Sequence, residues 1–163
     1  MALIFQTPNF VVDAPGEPLI DRDDGGHITI DPKIKVSTRQ QLSAPLAIEL
    51  MRLTIIVGDA MTTVMNQHGV DIGRINYQDN GNWRVFKPEG PVMHIHIYGR
   101  AKSAKHQPYG QTLNFPHRDE QPEFYKRLKP LLPKDISAMR VEINRLMSLD
   151  KYSDVVWGLL NRK

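Results

Sequence analysis

The chain contains no cysteine. Disulfide crosslinks, thiolate nucleophiles and cysteine-ligated metal centres are thereby excluded, and a reducing, cytoplasmic setting fits. No apolar run approaches the roughly 18 residues that a membrane-spanning helix needs. The opening stretch, MALIFQTPNFVVDAPGEP, lacks the basic and long apolar regions of a secretory leader. Internal repeats and low-complexity tracts are missing as well. Charge of one sign is scarce: the formal net charge is +3 over 163 residues. With no dense arginine tract or aromatic ladder, neither nucleic acid nor a membrane is an expected partner.

What remains is ordinary globular material. Apolar residues make up 40% and charged residues 24% of a chain long enough to bury the core of a single domain. Phe10-Val11-Val12 and Pro18-Leu19-Ile20, separated by the turn-forming DAPGE, read as two short strands. After the polar turn DRDDGG, the alternating HITID reads as another strand, stopped by Pro32. One long helix opens near LSAP, where Ser43 suits the cap and Pro45 the first turn. Leu46, Leu50, Leu53, Val57, Met61 and Val64 form one apolar stripe along it, and Gly69 lies beyond its end. GRINYQ follows as a strand, DNGN as a tight turn, and WRVF as the returning half of a hairpin that KPEGP breaks. VMHIHIY is the next strand. Residues 101–122 are polar and turn-rich, as befits a loop that covers something. EFYKRLKPL reads as a short helix, and DISAMRVEINRLM, with Ile136, Met139, Ile143 and Leu146 at helical spacing, as a C-terminal one. VVWGLL reads as a helical turn against the core. Strands, one long helix and strands again define an α+β fold with an antiparallel sheet.

The distinctive stretch is PVMHIHIYGR, residues 91–100. In an extended chain Val92, His94, His96 and Tyr98 share one face, with the two imidazoles about 7 Å apart, while Met93, Ile95 and Ile97 face the core. Three uses suit such a pair. A zinc site needs at least a third ligand, and His27, His68, His106 and His117 are scattered over other elements. Both rings can instead be hydrogen-bonded polar positions on a half-exposed strand. In a catalytic use, one neutral imidazole attacks phosphorus while the other stabilises negative charge. Arg100, Lys102, Lys105 and His106 follow directly and suit phosphate groups. Spacing alone leaves all three uses open.

Four blocks, taken in order, bear on the choice: GHITIDPK (26–33), LSAPLAIELMRLTIIVGDAM (42–61), GRINYQDNGN (73–82) and VMHIHIYGR (92–100). Together they resemble the histidine-triad superfamily of nucleotide hydrolases and transferases. They are similar to its Gly-His strand closed by Pro-Lys, its central helix after Leu-Ser, its strand ending in Asn and Gly, and its signature of three alternating histidines closed by Gly or Pro and Arg. The likeness spans about residues 10–100. Only two of the three histidines are present. In the register that needs no gap before Arg100, Val92 takes the first histidine's place, His94 is the middle, nucleophilic histidine and His96 the third. In the other register His96 is the nucleophile and Tyr98 replaces the third histidine. The ungapped register is preferred. KPEGP stands where the family has a Gly-Gln-Ser/Thr stretch.

The resemblance implies one HIT-like domain over residues 1–163, with a core at about 10–100 and a loop and helical C-terminal extension at about 101–163. It implies a homodimer formed through the central helices and a sheet edge, with no cofactor and no metal. The implied activity is hydrolysis or nucleotidyl transfer at the α-phosphate of dinucleoside polyphosphates or nucleotide conjugates, through a covalent nucleotidyl-histidine. His94 and His96 are the implied catalytic pair, and Asn82, Arg100, His106 and Gln107 the implied substrate contacts. Asn76 and Asn80 are further candidates to position sugar or phosphate, whereas His27 falls on a strand position that is usually structural. The alternative is a nucleotide-binding protein that has lost turnover with its third histidine.

Overall fold

The computed structural model describes residues 1–79 and 85–159. Five strands, β1 (Ala2–Gln6), β2 (Phe10–Ala14), β3 (His27–Pro32), β4 (Ile72–Asp79) and β5 (Ile95–Ala101), form one antiparallel sheet in the order β1-β2-β3-β5-β4. The long helix α1 (Ala44–Gln67), the short α2 (Pro122–Lys126) and α3 (Pro133–Met147) complete the fold.

Alternation along β3 and β5 divides the sheet into two unlike faces. The register pairs Ile28 with Ile97 and Ile30 with Ile95, so these four isoleucines share one face with Phe10 and Val12 of β2. The stripe of α1 (Leu53, Val57, Met61, Val64) and Met139 and Ile143 of α3 pack onto that face to form the main core. Each such buried side chain stabilises the fold by about 1.5–3 kcal/mol relative to exposure. The opposite face presents His27, Thr29 and Asp31 from β3 and His96, Tyr98 and Arg100 from β5. A second, smaller cluster of Leu19, Ile20, Tyr98, Tyr125 and Leu128, with Leu113 and Phe115 against it, covers that face at the Tyr98 end. The turn-rich segment after β5 therefore closes half of the polar face and leaves the histidine end to other neighbours.

A close backbone approach fixes the turn before β3. Gly25, at φ 131°, lies so near Gly99 that a Cβ on either residue would collide with the other's carbonyl oxygen. This pair of glycines lets the 3-10 turn Arg22–Asp24 rest directly on β5.

Several expectations are corrected. Pro18-Leu19-Ile20 is not a strand: the Leu19 N–H donates to a histidine ring and Ile20 plugs the second cluster. The edge strand β1 has too short an apolar run to announce itself, and it is its antiparallel pairing with β2 that makes it a strand. Strand β5 begins at Ile95 rather than Val92. Of the expected hairpin return, Trp83 and Arg84 lie outside the described residues, while Val85 and Phe86 are in a turn and 55% and 96% exposed. Ser43 does stand at the cap of α1, yet its side chain makes no capping bond; its carbonyl accepts from the Ala47 N–H. Of the terminal VVWGLL, Trp157 packs on the core but Val155 and Val156 are exposed.

Candidate functional site

The segment leading into β5 is pinned from one side, where the Met93 N–H donates to the Val36 carbonyl at 2.9 Å. His94 comes one residue before the ladder begins, so the ideal pleat does not set its position. Its ring meets that of His96 edge-on, with centroids 4.5 Å apart and planes at 75°. This is closer than the separation along a regular strand.

The hydrogen bonds around the imidazoles dictate where their protons lie. Val92 O can only accept, so His94 Nδ1, at 2.9 Å, carries a proton and donates it. In the neutral ring the lone pair is then on Nε2. The opposite holds for His96. The Leu19 backbone N–H donates to His27 Nδ1 at 3.1 Å, which must therefore be bare. Neutral His27 carries its proton on Nε2 and donates it to His96 Nδ1 at 2.8 Å. That leaves His96 with its proton on Nε2. Two neighbouring histidines thus hold opposite tautomers, one offering a lone pair and the other an N–H.

Burial supports the neutral state of the inner pair. It pushes His27 well below the usual histidine value, and the neighbouring imidazoles and Arg118 lower it further. Burial, with a contribution from His94, lowers His96 to about 4. Tyr98 stacks on His96 with ring centroids 5.4 Å apart and packs in turn on Phe115. From β4, Asn76 stands across from Tyr98 and Gln78 across from His96. On β3, Asp31 lies one step beyond the Ile30–Ile95 pair, toward His94. Burial raises the Asp31 carboxyl above its ordinary value, partly offset by His94, and its Oδ2 is enclosed with no hydrogen-bond partner among the described residues.

The remaining sequence candidates lie elsewhere. Arg100 is six residues from His94, about 20 Å along an extended chain. It is buried, and its guanidinium donates to the Pro108 and Gln111 carbonyls at 3.0 and 2.9 Å. The backbone N–H groups of Lys105, His106 and Gln107 all donate to the Asp24 carboxylate at 2.7–2.9 Å. The Gln107 side chain bonds the Asn114 backbone in both directions. Arg100, His106 and Gln107 hold the loop onto the sheet, and the structure does not bring them to the histidine pair. Asn82, like Asn80, lies outside the described residues. His27, which sequence reasoning set aside, is in direct contact with His96; the signal was its place in the Gly-His block, on the strand that pairs with β5.

Among the described residues no group of three or more His, Asp or Glu side chains is placed to hold a metal ion, and no helix is long and apolar enough to cross a membrane. No family model and no curated protein matches the chain. Solved structures do. A histidine triad protein from Bradyrhizobium japonicum is similar with a TM-score of 0.56 and 18% identity, over 86% of this chain and 89% of that one. A hypothetical histidine triad nucleotide-binding protein from Sulfolobus tokodaii gives 0.53 at 13% identity, over 89% and 85%. A zinc-bound histidine triad family protein from Mycobacterium smegmatis gives 0.53 at 16% identity, over 90% and 86%. The α+β architecture is thus that of a known class, and the chain has the fold of the histidine-triad superfamily.

Proposed function

We propose that the chain binds a nucleotide at the His94 end of the polar sheet face and transfers its nucleotidyl group through His94. It acts as a nucleotide hydrolase or nucleotidyl transferase at the α-phosphate of dinucleoside polyphosphates or nucleotide conjugates. The observation that carries this reading is the pair of opposite tautomers, a lone pair on His94 Nε2 and a proton on His96 Nε2, in rings whose centroids lie 4.5 Å apart.

In the first step the Nε2 lone pair of His94 attacks the α-phosphorus. The bond from phosphorus to the leaving oxygen breaks and its electron pair departs with that oxygen. The His96 N–H donates a hydrogen bond to the charge that develops, and the low polarity of its buried surroundings strengthens that bond. His94 now carries the nucleotidyl group on Nε2 and still donates from Nδ1 to Val92 O, so the ring is cationic. The nearby Asp31 carboxyl, when ionised, offsets this charge. Water or another acceptor then attacks phosphorus, the N–P bond breaks with its pair returning to Nε2, and the acceptor's proton passes to solvent. His96 on the ladder of β5, and His94 just before it with its ring held by the Val92 carbonyl, supply the orientation that the displacement requires.

Incubation with diadenosine tetraphosphate tests the proposal. The expected results are cleavage that survives a chelator, a trapped adenylyl group on His94 by mass spectrometry, and loss of both in His94→Ala. Binding without cleavage would favour the second reading, a nucleotide-binding protein without turnover; the aliphatic Val92 next to the pair speaks for it. Normal turnover by His94→Ala together with an inactive His96→Ala would transfer the nucleophile's role to His96.

A homodimer is part of the same proposal. Strand β4 is an edge of the sheet, and beside it Leu50, Met51, Ile55 and Tyr77 line an apolar groove, with Met51 55% and Tyr77 48% exposed. A second copy placed there would bury both. Sedimentation of the wild type and Met51→Glu distinguishes a dimer from a monomer.

A further inference from the structure

Resting on the function just proposed, we infer that the leaving group departs as a stable oxyanion, a phosphate or polyphosphate, and not as an amine, because the hydrogen-bond chain from Leu19 holds His96 as a donor that cannot act as an acid. The chain has three links: the Leu19 N–H on His27 Nδ1, the His27 Nε2–H on His96 Nδ1, and the His96 Nε2–H beyond. A backbone amide does not give up its proton, so the first link is fixed.

Adding a proton anywhere in the chain is blocked. On His27 Nδ1 it would face the Leu19 N–H, and on His96 Nδ1 it would face the His27 Nε2–H. Removing one is blocked as well. If neutral His96 gave its Nε2 proton to a leaving group, it would be left an imidazolate unless His27 passed its own proton to Nδ1, and His27 would then hold no proton on either nitrogen. His96 therefore contributes a hydrogen bond and no proton. The surroundings do not relieve this. His96 faces His94 on its own segment, Thr29 and His27 on β3, Gln78 on β4 and the Tyr98 ring; His27 faces Leu19, His96 and Tyr98, with the cationic Arg118 nearby.

This decides between leaving groups. When the bond from phosphorus to a bridging phosphate oxygen breaks, the electron pair stays on an oxygen that is stable as an anion near neutral pH, and a hydrogen bond suffices. When a bond from phosphorus to nitrogen breaks, the amine must receive a proton as it leaves. A positioned acid contributes about 10²–10⁴-fold to such a step, and His96 cannot be that acid.

The test compares kcat/KM for diadenosine tetraphosphate and for an N-alkyl adenosine 5′-phosphoramidate between pH 6 and 8.5. The amine substrate is expected to be cleaved at least about 10²-fold more slowly. His27→Leu, which frees His96 Nδ1 to accept a proton, is expected to narrow that ratio as the pH falls. Comparable rates for the two substrates in the wild type would overturn the inference. A second measurement needs no turnover and no variant: the imidazole ¹⁵N resonances of the wild-type protein. His27 and His96 are expected to show an unprotonated Nδ1 and a protonated Nε2, with no titration from pH 8 to pH 5. A titrating His96 in a protein that still cleaves the polyphosphate overturns this inference alone, whereas turnover of neither substrate removes the proposed function and this inference with it.

Discussion

The two ends of β5 carry the same kinds of residue on the same face of the sheet, and they do opposite things. At the entry, His94 and His96 each bond one ring nitrogen to the protein among the described residues, through the bonds that set their tautomers. At the exit, Arg100 spends its guanidinium on two loop carbonyls, while Asp24 gathers three successive backbone N–H groups from residues 105–107. A cation next to a pair of histidines suggests a phosphate clamp, but two carbonyls of the loop that follows it take up its Nη2, and its buried Nε has no hydrogen-bond partner among the described residues. Charged residues are scaffold or site according to whether the fold itself satisfies them.

The largest separation between the two ends is expected in kinetics. His94→Ala should lower kcat on diadenosine tetraphosphate by roughly 10⁴-fold or more, as losses of a nucleophile do, with the thermal midpoint nearly unchanged. Arg100→Ala should do the reverse: kcat/KM within a few-fold of wild type, and a loss of about 2–4 kcal/mol in urea denaturation from the charge-assisted bonds it removes. Loss of turnover in Arg100→Ala at full stability would erase the contrast. Asp24→Asn belongs with the scaffold. It should lose about 2–3 kcal/mol and make the 105–111 segment more readily cut by protease, again without a specific effect on turnover.

The histidine end and the scaffold around α3 should also fail at different pH. The folded pKa of His96 is about 4, below the ordinary 6.5, so the folded state resists a proton that the unfolded chain accepts. The stability tied to this group is present above about 6.5 and falls away as the pH drops toward 4, by on the order of 3 kcal/mol if fully expressed. His27 acts in the same direction. The scaffold behaves otherwise. Burial pushes Asp135 up, but Arg22, His68 and the Leu132 N–H outweigh it and hold the carboxyl at about 2. Its contribution is present above 3.8 and is lost only as the pH falls toward 2. Urea midpoints between pH 7 and 3 should therefore show an early decline that His96→Ala flattens and Asp135→Asn does not.

Much of the fold was legible because it is written in local pattern. The stripe of α1, the spacing in α3 and the alternation in β3 and β5 each depend on residues a few positions apart. The candidate site was legible only in outline. His94 and His96 stand out by their spacing, yet the feature that distinguishes them comes from His27, 69 positions away from His96, and from the backbone of Leu19. No residue-type pattern encodes a backbone amide aimed at a ring nitrogen. Reading Pro18-Leu19-Ile20 as a strand missed it, because in a strand that N–H would go to a neighbouring chain segment. The partners of the loop that carries His106 and Gln107 were hidden for the same reason. Asp24 looks like one more polar residue of a turn, and its partners are 81 to 83 positions away.

The smallest effect is expected at the position where the third histidine is missing. Val92 serves His94 through its carbonyl oxygen, which any side chain retains. Val92→Ala should therefore leave the His94 tautomer unchanged and alter kcat on the polyphosphate by less than about two-fold, the scale of a surface substitution that touches no special feature. Val92→His extends the same test. If the carbonyl is what orients the nucleophile, an added imidazole at 92 changes kcat little, and the ¹⁵N spectrum of His94 still shows its proton on Nδ1. A gain of ten-fold or more on restoring the histidine would mean that the entry end of β5, unlike its exit, is left incomplete by the fold, and that the pair as it stands works below the capacity of its geometry.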